Sequence, residues 1–254
     1  MQFVSPEELI KGDGLRIVVV KGGPSPWGQA AKAMMEYKGL SFKAALWQGG
    51  GANEEIVNWS GANSAPVVAW NKEKPIDRWD DILFLIERLA PQKPLLPESR
   101  EERVQIMGLS HEICGRQGLG WNRRLSMFAP ALSSGKAPEP MVKMGEKYGF
   151  SPEEAAQGDN RVIATLNMLT KRLKAQLAAG SMYFVGQNIS PVDFYWAAFS
   201  CIIDLPPNEV CPVPDAMRPM FSRISDGVRA AIDPVLLTHR DRIMAAHFKI
   251  PMEM

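Results

Sequence analysis

Residues 15–39 read LRIVVVKGGPSPWGQAAKAMMEYKG: an apolar run, a turn of glycine and proline, then a patterned segment. Leu15–Val20 has the length and branching of a buried strand. Ala30, Ala33, Met34 and Tyr37 then recur at helical spacing, and Gly39 supplies a stop. Between them Ser25-Pro26 opens the helix. A serine before proline is an ordinary helix start, because its hydroxyl accepts a backbone N–H and proline fits the first helical position. The same hydroxyl, at the positive end of the helix dipole, can instead face a bound anion.

The chain supplies its own comparison. Ser-Pro occurs at Ser5, Ser25, Ser151 and Ser190, and an acid stands three residues after three of them: Glu8, Glu154 and Asp193. Those three have the pattern of capping boxes. After Ser25 the position is Gly28, which removes the reciprocal partner and any side chain that would repel an anion, and so favours a ligand-facing turn. Capping and ligand contact do not exclude each other. Lys21 and Gln29 either polarise that pocket or are surface residues.

Working outward, residues 41–47 form a second strand, parallel to the first because a right-handed helical crossover joins them. QGGGANEEIVNW (48–59) is a loop with a short helix, and Val67–Trp70 a third strand. NKEK then turns the chain into a short fourth strand around Pro75 and Ile76, too near for a crossover and hence antiparallel. Trp79, Ile82, Leu83 and Ile86 place one apolar face on a closing helix. The order β-α-β, loop, β-β-α makes a small mixed sheet covered by helices. APQKPLLPES (90–99) has the composition of a linker. Beyond it the patterns are helical: 100 to about 115, with a continuation through Trp121 to Leu125 open; Val162, Leu166, Leu169, Leu173 and Leu177; 191–203; and 234–248. The reading is a domain at 1–91 and an all-helical domain at 99–254.

Composition narrows the function. With 254 residues the chain can bury a core without disulfides or metals, and 29 basic against 28 acidic residues give a net charge of +1, which does not advertise nucleic acid or a membrane surface as a partner. The N-terminus lacks the apolar core of a signal peptide. The most apolar stretch, 194–203, is far shorter than the roughly 20 residues that span a bilayer. Cys114, Cys201 and Cys211 are widely spaced without a CxxC pair, as suits reduced thiols. A soluble cytoplasmic protein is expected. HEIC at His111 is no HExxH site, since Gly115 stands where the second histidine belongs, and no metal site is expected. The turn at 22–27 fits neither GxGxxG nor GxSxG, so nucleotide binding and serine hydrolysis are not indicated.

The layout and three motifs resemble cytosolic glutathione transferases over nearly the whole chain. SPW at Ser25 to Trp27, with a helix ending in EYKGL, is similar to the SPF…KG opening of serine-using, tau-type members; omega-type members have cysteine there. NSAPVV (63–68) resembles the VPVL segment, whose proline is cis and whose preceding backbone pairs with the cysteinyl part of glutathione; Ala65 and Pro66 match. GQNISPVDFYWAAF (186–199) resembles the G-x-x-I-S-x-x-D helix start of the helical domain, where Ser190 caps, Asp193 reaches back and Ile189 is the apolar staple. One landmark departs: Arg78-Trp79 stands where relatives carry Glu/Asp-Ser for the γ-glutamyl group. Arg78 could pair with the γ-glutamyl carboxylate, or Asp77 could simply cap the helix with Trp79 in the core. The lysine often found before the VP is replaced by Asn63-Ser64.

The resemblance implies a thioredoxin-like domain with a mixed four-stranded sheet followed by a helical bundle. It implies a detoxification enzyme, a homodimer, that joins glutathione to a small apolar electrophile. Ser25 would be catalytic; Trp27, Asn63, Ala65, Pro66, Arg78 and Trp79 would line the glutathione site; and Met107, His111 and Trp121, with Cys114 and Phe128, would wall the second substrate. The Arg78-Trp79 departure also admits a noncatalytic relative that binds an apolar ligand or a protein partner. CGRQGLGWNRR (114–124) reads as a kinked pocket edge or a plain helix break, and the segment from Asp233 onward as packing outside the bundle or covering the pocket.

Overall fold

The computed structural model describes residues 1–51 and 53–253; Ala52, in the glycine-rich loop, and Met254, closing the C-terminal segment, lie outside the described residues. In chain order the elements are β1 (Gln2–Phe3), α1 (Pro6–Lys11), β2 (Leu15–Val20), α2 (Pro26–Tyr37), β3 (Phe42–Trp47), α3 (Glu54–Ser60), β4 (Val67–Trp70) and α4 (Trp79–Leu89). Then come α5 (Arg100–Cys114), α6 (Leu119–Ser133), α7 (Glu139–Lys147), α8 (Pro152–Ala178), α9 (Pro191–Ser200), α10 (Arg218–Ser222), α11 (Asp226–Ala230) and α12 (Pro234–His247).

The sheet has the order β1-β3-β2-β4, with β2 parallel to β3 and antiparallel to β4, so that Ile17 lies between Ala44 and Val68. The expected mixed, four-stranded sheet is present, but its fourth member differs. The strand read around Ile76 is a single bridge in which Val68 and Ile76 exchange two hydrogen bonds of 2.8 Å. Pro75 has no N–H to extend it and α4 begins at Trp79. Instead Gln2–Phe3 adds a parallel edge strand to β3, too short and too exposed to leave a periodic signal.

Strand β2 is buried on both faces. Leu15, Ile17 and Val19 pack in the main core with α2 and α4, while Val18, Ala45 and Val67 pack with Leu9 and Ile56 from α1 and α3. The proline-rich stretch after α4 is not a loose spacer. Glu87 accepts the N–H groups of Leu95 and Leu96 at 3.1 Å each, and both leucines are buried.

In the helical part every residue of α9 is buried. Three of its rings reach the sheet-bearing part: Phe194 to Tyr37 at 5.4 Å, Tyr195 to Trp79 at 5.7 Å and Phe199 to Trp27 at 4.7 Å between centroids. The Trp196 indole donates to Leu236 O of α12 at 2.9 Å.

The pattern from residue 100 breaks after Cys114 instead of running on. A Cβ on Gly115 would lie 2.5 Å from His111 Cδ2, and one on Gly118 would lie 2.6 Å from His111 O, so glycine is what lets the chain fold over that last turn. Helices α7, α10 and α11 are short and were not evident in the pattern, and α9 ends at Ser200 rather than 203. Helix α12 packs on α9, α8 and α2, and the tail beyond it reaches Gln29 and Lys32 of α2. There Met252 is buried, its N–H bonds Val210 O at 2.9 Å, and Glu253 O accepts Gln29 Nε2 at 3.0 Å and Lys32 Nζ at 3.3 Å.

Gly120 is packed tightly under α9 and against the first domain: a Cβ there would stand 2.2 Å from Phe199 Cε1 and 3.2 Å from Trp27 Cη2. Gly120→Ala should therefore destabilise the protein by about 1–3 kcal/mol, as overpacked cores do. A urea titration should show a lower midpoint; an unchanged one would contradict this packing.

Candidate functional site

Ser25 occupies the N-cap position of α2 in an extended conformation, φ −64° and ψ 106°, with Pro26 opening the helix. Its N–H bonds Gly23 O at 2.8 Å and its carbonyl takes the Gln29 N–H at 3.0 Å, but its hydroxyl makes no capping bond. The other three behave differently. Ser5 and Ser151 accept the N–H groups of Glu8 and Glu154 at 3.1 Å each, and the Ser190 hydroxyl donates to Asp193 at 2.8 Å. Ser25 is half-buried, and its hydroxyl does not cap the helix it precedes.

The loop before β4 packs against the first turn of α2. The Ala65–Pro66 peptide bond is cis. Gly28, one turn into α2, backs onto this loop: a Cβ there would be 3.6 Å from Val19 Cγ1 and 4.0 Å from Pro66 Cβ. From the helical part α7 leans over. Lys147 Nζ hydrogen-bonds Ser64 Oγ and lies 3.5 Å from Asn63 Oδ1. A Cβ on Gly50, in the loop after β3, would meet Pro140 Cγ at 3.5 Å. Burial lowers the Lys147 pKa, and the charge of Asp77 works against that shift.

The residues at the departed landmark are engaged with the protein. Arg78 donates to Asp80 at 2.7 and 3.2 Å and lies 3.5 Å from Asp81. The hydrogen bond to Asp80 raises the guanidinium's pKa; burial of Asp80 opposes its ionisation, but Arg78 and the backbone N–H groups of Asp80 and Asp81 together lower its pKa. Arg78, not Asp77, is the N-cap residue of α4, and it makes no side-chain cap bond. Trp79 is half-buried against Tyr195, whose hydroxyl reaches Trp79 O at 3.4 Å.

Trp27 faces the domain interface. Its indole N–H donates to Cys114 O, the last carbonyl of α5, at 2.8 Å. Trp121 and Phe128 gather with Trp27 around Tyr148: the Trp121 indole donates to Tyr148 O at 2.9 Å, and its ring meets the tyrosine edge-on at 4.6 Å. Met107 packs against the main core and His111 is exposed over Gly115, so neither joins this aromatic group. The Cys114 thiol is buried, bonded to Ser110 O at 2.9 Å, with burial pushing its pKa well up. Arg123 is structural: it donates to Ile202 O at 2.8 Å and Arg223 O at 2.7 Å, and burial lowers its pKa to about 10. Gln29 is committed to the tail and Lys21 is exposed.

Lys147 and Tyr148 escaped the sequence reading because their roles arise only when α7 meets the other domain. Among the described residues no group of three or more His, Cys, Asp or Glu could hold a metal, and no helix is long and apolar enough to cross a membrane. Surface cavities of about 390 and 400 Å³ lie elsewhere, one beside Phe3 and Ile56 and one beside Arg123 and Met220; neither borders Ser25.

No family model and no curated protein matches the sequence. Solved structures do. A glutathione S-transferase of Methylobacterium radiotolerans, in complex with glutathione sulfonate, aligns over 94% of this chain and 96% of its own at 16% identity and TM-score 0.61. A rice glutathione transferase in complex with glutathione covers 94% and 91% at 16% identity, TM-score 0.59, and the omega-class transferase 3C of Trametes versicolor covers 94% and 88% at 14% identity, TM-score 0.58. This chain thus has the glutathione transferase fold, a thioredoxin-like domain followed by a helical one.

Lys147→Met removes the hydrogen bond that ties α7 to the loop before Pro66. Hydrogen exchange of the α7 amides should accelerate by about two- to tenfold, matching the roughly 0.5–1.5 kcal/mol of one hydrogen bond. Unchanged exchange there would show that the tie does not hold α7.

Proposed function

We propose that the protein binds glutathione and joins its thiolate to a small apolar electrophile, with Ser25 holding the sulfur. The observation that carries this reading is the unengaged Ser25 hydroxyl, alone among the four Ser-Pro helix starts, beside the cis-proline loop of a transferase fold. An ordinary thiol, with a pKa near 8.5, is only a few per cent ionised at neutral pH. A hydroxyl donating to the anion contributes roughly 1.5–3 kcal/mol, or about one to two pKa units. The partial positive charge at the start of α2 adds to it. Ser25 is then a donor to the anion and not itself the nucleophile.

In this reading the Ala65 backbone aligns the cysteinyl unit and Pro66 shapes the turn. Asn63 and Trp27 border the tripeptide, and Arg78 and Trp79 replace the usual γ-glutamyl contacts. Met107, His111 and Trp121 edge the path of the electrophile, with Trp121 nearest to the aromatic group. The functional protein is a homodimer with one domain either side of the stretch 92–98.

One observation favours a second reading, a noncatalytic protein of this fold: Arg78 is already paired with two aspartates where an acid and a serine would otherwise receive the γ-glutamyl group. Retention on immobilised glutathione, then turnover of an activated aryl halide by wild type and Ser25→Ala, separates the two. The enzyme reading expects retention of both proteins. It expects kcat/KM at pH 7 about 10–100-fold lower in the variant, with its pH profile moved to higher pH because the bound thiol loses its donor. No retention and no turnover would leave the noncatalytic reading, and equal activity would remove Ser25 from the mechanism.

A further inference from the structure

A surface cavity of about 400 Å³ lies between α6, α8 and the turn that joins α10 to α11, and it borders no residue of the corner at Ser25. Its apolar lining is Met127 and Pro130 from α6, with Met220 from α10 and Ile224 from the turn. Its charged lining is two guanidinium groups, Arg123 and Arg223, and one carboxylate, Asp159.

Arg123 is only 2% exposed. Its Nε donates to Ile202 O at 2.8 Å, and its Nη2 to Arg223 O at 2.7 Å and Phe221 O at 3.4 Å. All three acceptors are neutral carbonyls. Among the described residues its Nη1 makes no hydrogen bond and the guanidinium no ion pair. Burial lowers its pKa to about 10, the charge of Asp159 opposing that fall and Arg124 adding to it. Asp159 accepts the Ser126 hydroxyl instead, at 2.8 Å. By holding the carbonyl of Arg223, Arg123 also fixes the backbone that carries the second guanidinium. Arg223 is exposed, and among the described residues its side chain has no partner. Ser225, also in the lining, accepts the Val228 N–H at 3.3 Å, which leaves its hydroxyl proton free to be donated. Two cations face one anion, so the cavity holds one positive charge in excess.

We propose that this cavity binds a small carboxylate with an apolar body. The carboxylate meets Arg223, whose planar fork takes both oxygens through parallel N–H bonds, with the Arg123 Nη1 and the Ser225 hydroxyl as further donors. The apolar body lies on Met127 and Met220, whose unbranched side chains adapt to its shape. The volume is near the lower end of ligand pockets, about 300–1,000 Å³, and suits a chain or ring of about eight carbons. Charge selects the class. A carboxylate cancels the excess charge, a neutral alcohol of the same length leaves it, and an amine adds to it.

The test reads the two methionines. Protein isotopically labelled at its methionine methyl carbons is titrated with octanoate, octanol and octylammonium, and Met127→Leu and Met220→Leu assign the two signals by nuclear magnetic resonance. Octanoate should shift both signals and saturate at millimolar concentration or below. Octanol and octylammonium should bind about tenfold more weakly, or less tightly still. Arg223→Gln changes an exposed, unpaired side chain. It should leave the spectrum of the free protein intact and weaken octanoate about tenfold, to the level of octanol. Met127 and Met220 signals that stay in place at tens of millimolar octanoate would overturn the proposal. So would octanol binding as tightly as octanoate, or an unchanged affinity in Arg223→Gln. None of these outcomes depends on whether the protein binds glutathione, because the readout is at this cavity.

Discussion

The buried carboxylate of Asp193 is the constraint on which the two-part arrangement rests. It is 0% exposed, accepts the Ser190 N–H and hydroxyl at 2.8 Å each and the Phe184 N–H at 3.2 Å, and has His239 Nε2 at 2.9 Å. A carboxylate this deep is tolerable only because donors surround it and the N-terminus of α9 is beside it. What it fixes is the start and direction of α9. From there Phe194, Tyr195 and Phe199 are delivered to Tyr37, Trp79 and Trp27, the contacts that join the helical part to α2 and α4. The position of Ser25 is therefore set partly by a cap in the other domain.

This explains what the sequence could disclose. Ser190 and Asp193 are three residues apart, so their mutual bond is a local pattern and legible as letters, as is the contrast between Ser25 and the other Ser-Pro pairs. The resemblance places Trp27 among the residues that line the glutathione site. Its indole partner is 87 residues away, and no spacing rule reveals that the polar atom is engaged. The same holds for α7, whose Lys147 meets Ser64 across the domains, and for β1, whose two exposed residues acquire meaning only by pairing with β3. The landmark at Arg78-Trp79 was legible as a departure. That Arg78 turns onto Asp80 and Asp81 could not be told from letters, since three aspartates stand within three residues of it.

The C-terminal tail was left with two destinations, outside the bundle or over the pocket, and the structure gives the first. It lies along α2 as a charged segment. Lys32 is 2% exposed, with burial lowering its pKa against the pull of Glu36 and Glu253, while burial raises that of Glu36. Among the described residues Gln29 Oε1, Glu36 Oε2 and Glu253 Oε2 have no hydrogen-bond partner. Such a cluster contributes little net stability, because desolvation of the charges offsets most of their attraction. It does fix geometry, because any slide of the tail would break the bonds from Gln29 and Lys32 to Glu253 O.

Helix α2 is thus held on three sides. Gly28 seats it on Val19 and Pro66, Trp27 and Tyr37 bind it to the aromatic face of α9, and Gln29 and Lys32 bind it to the tail. A helix so constrained does not tilt freely, so the backbone of its first turn, with Ser25 at the N-cap, is held in place. A donor aimed in advance at a developing or resident charge costs no reorganisation when the charge arrives, and for that reason preorganised hydrogen bonds count for more than mobile ones. In the proposed reading the rigidity of α2 links the packing to the chemistry, because the contacts around Trp27 and Lys32 hold the backbone that carries the serine.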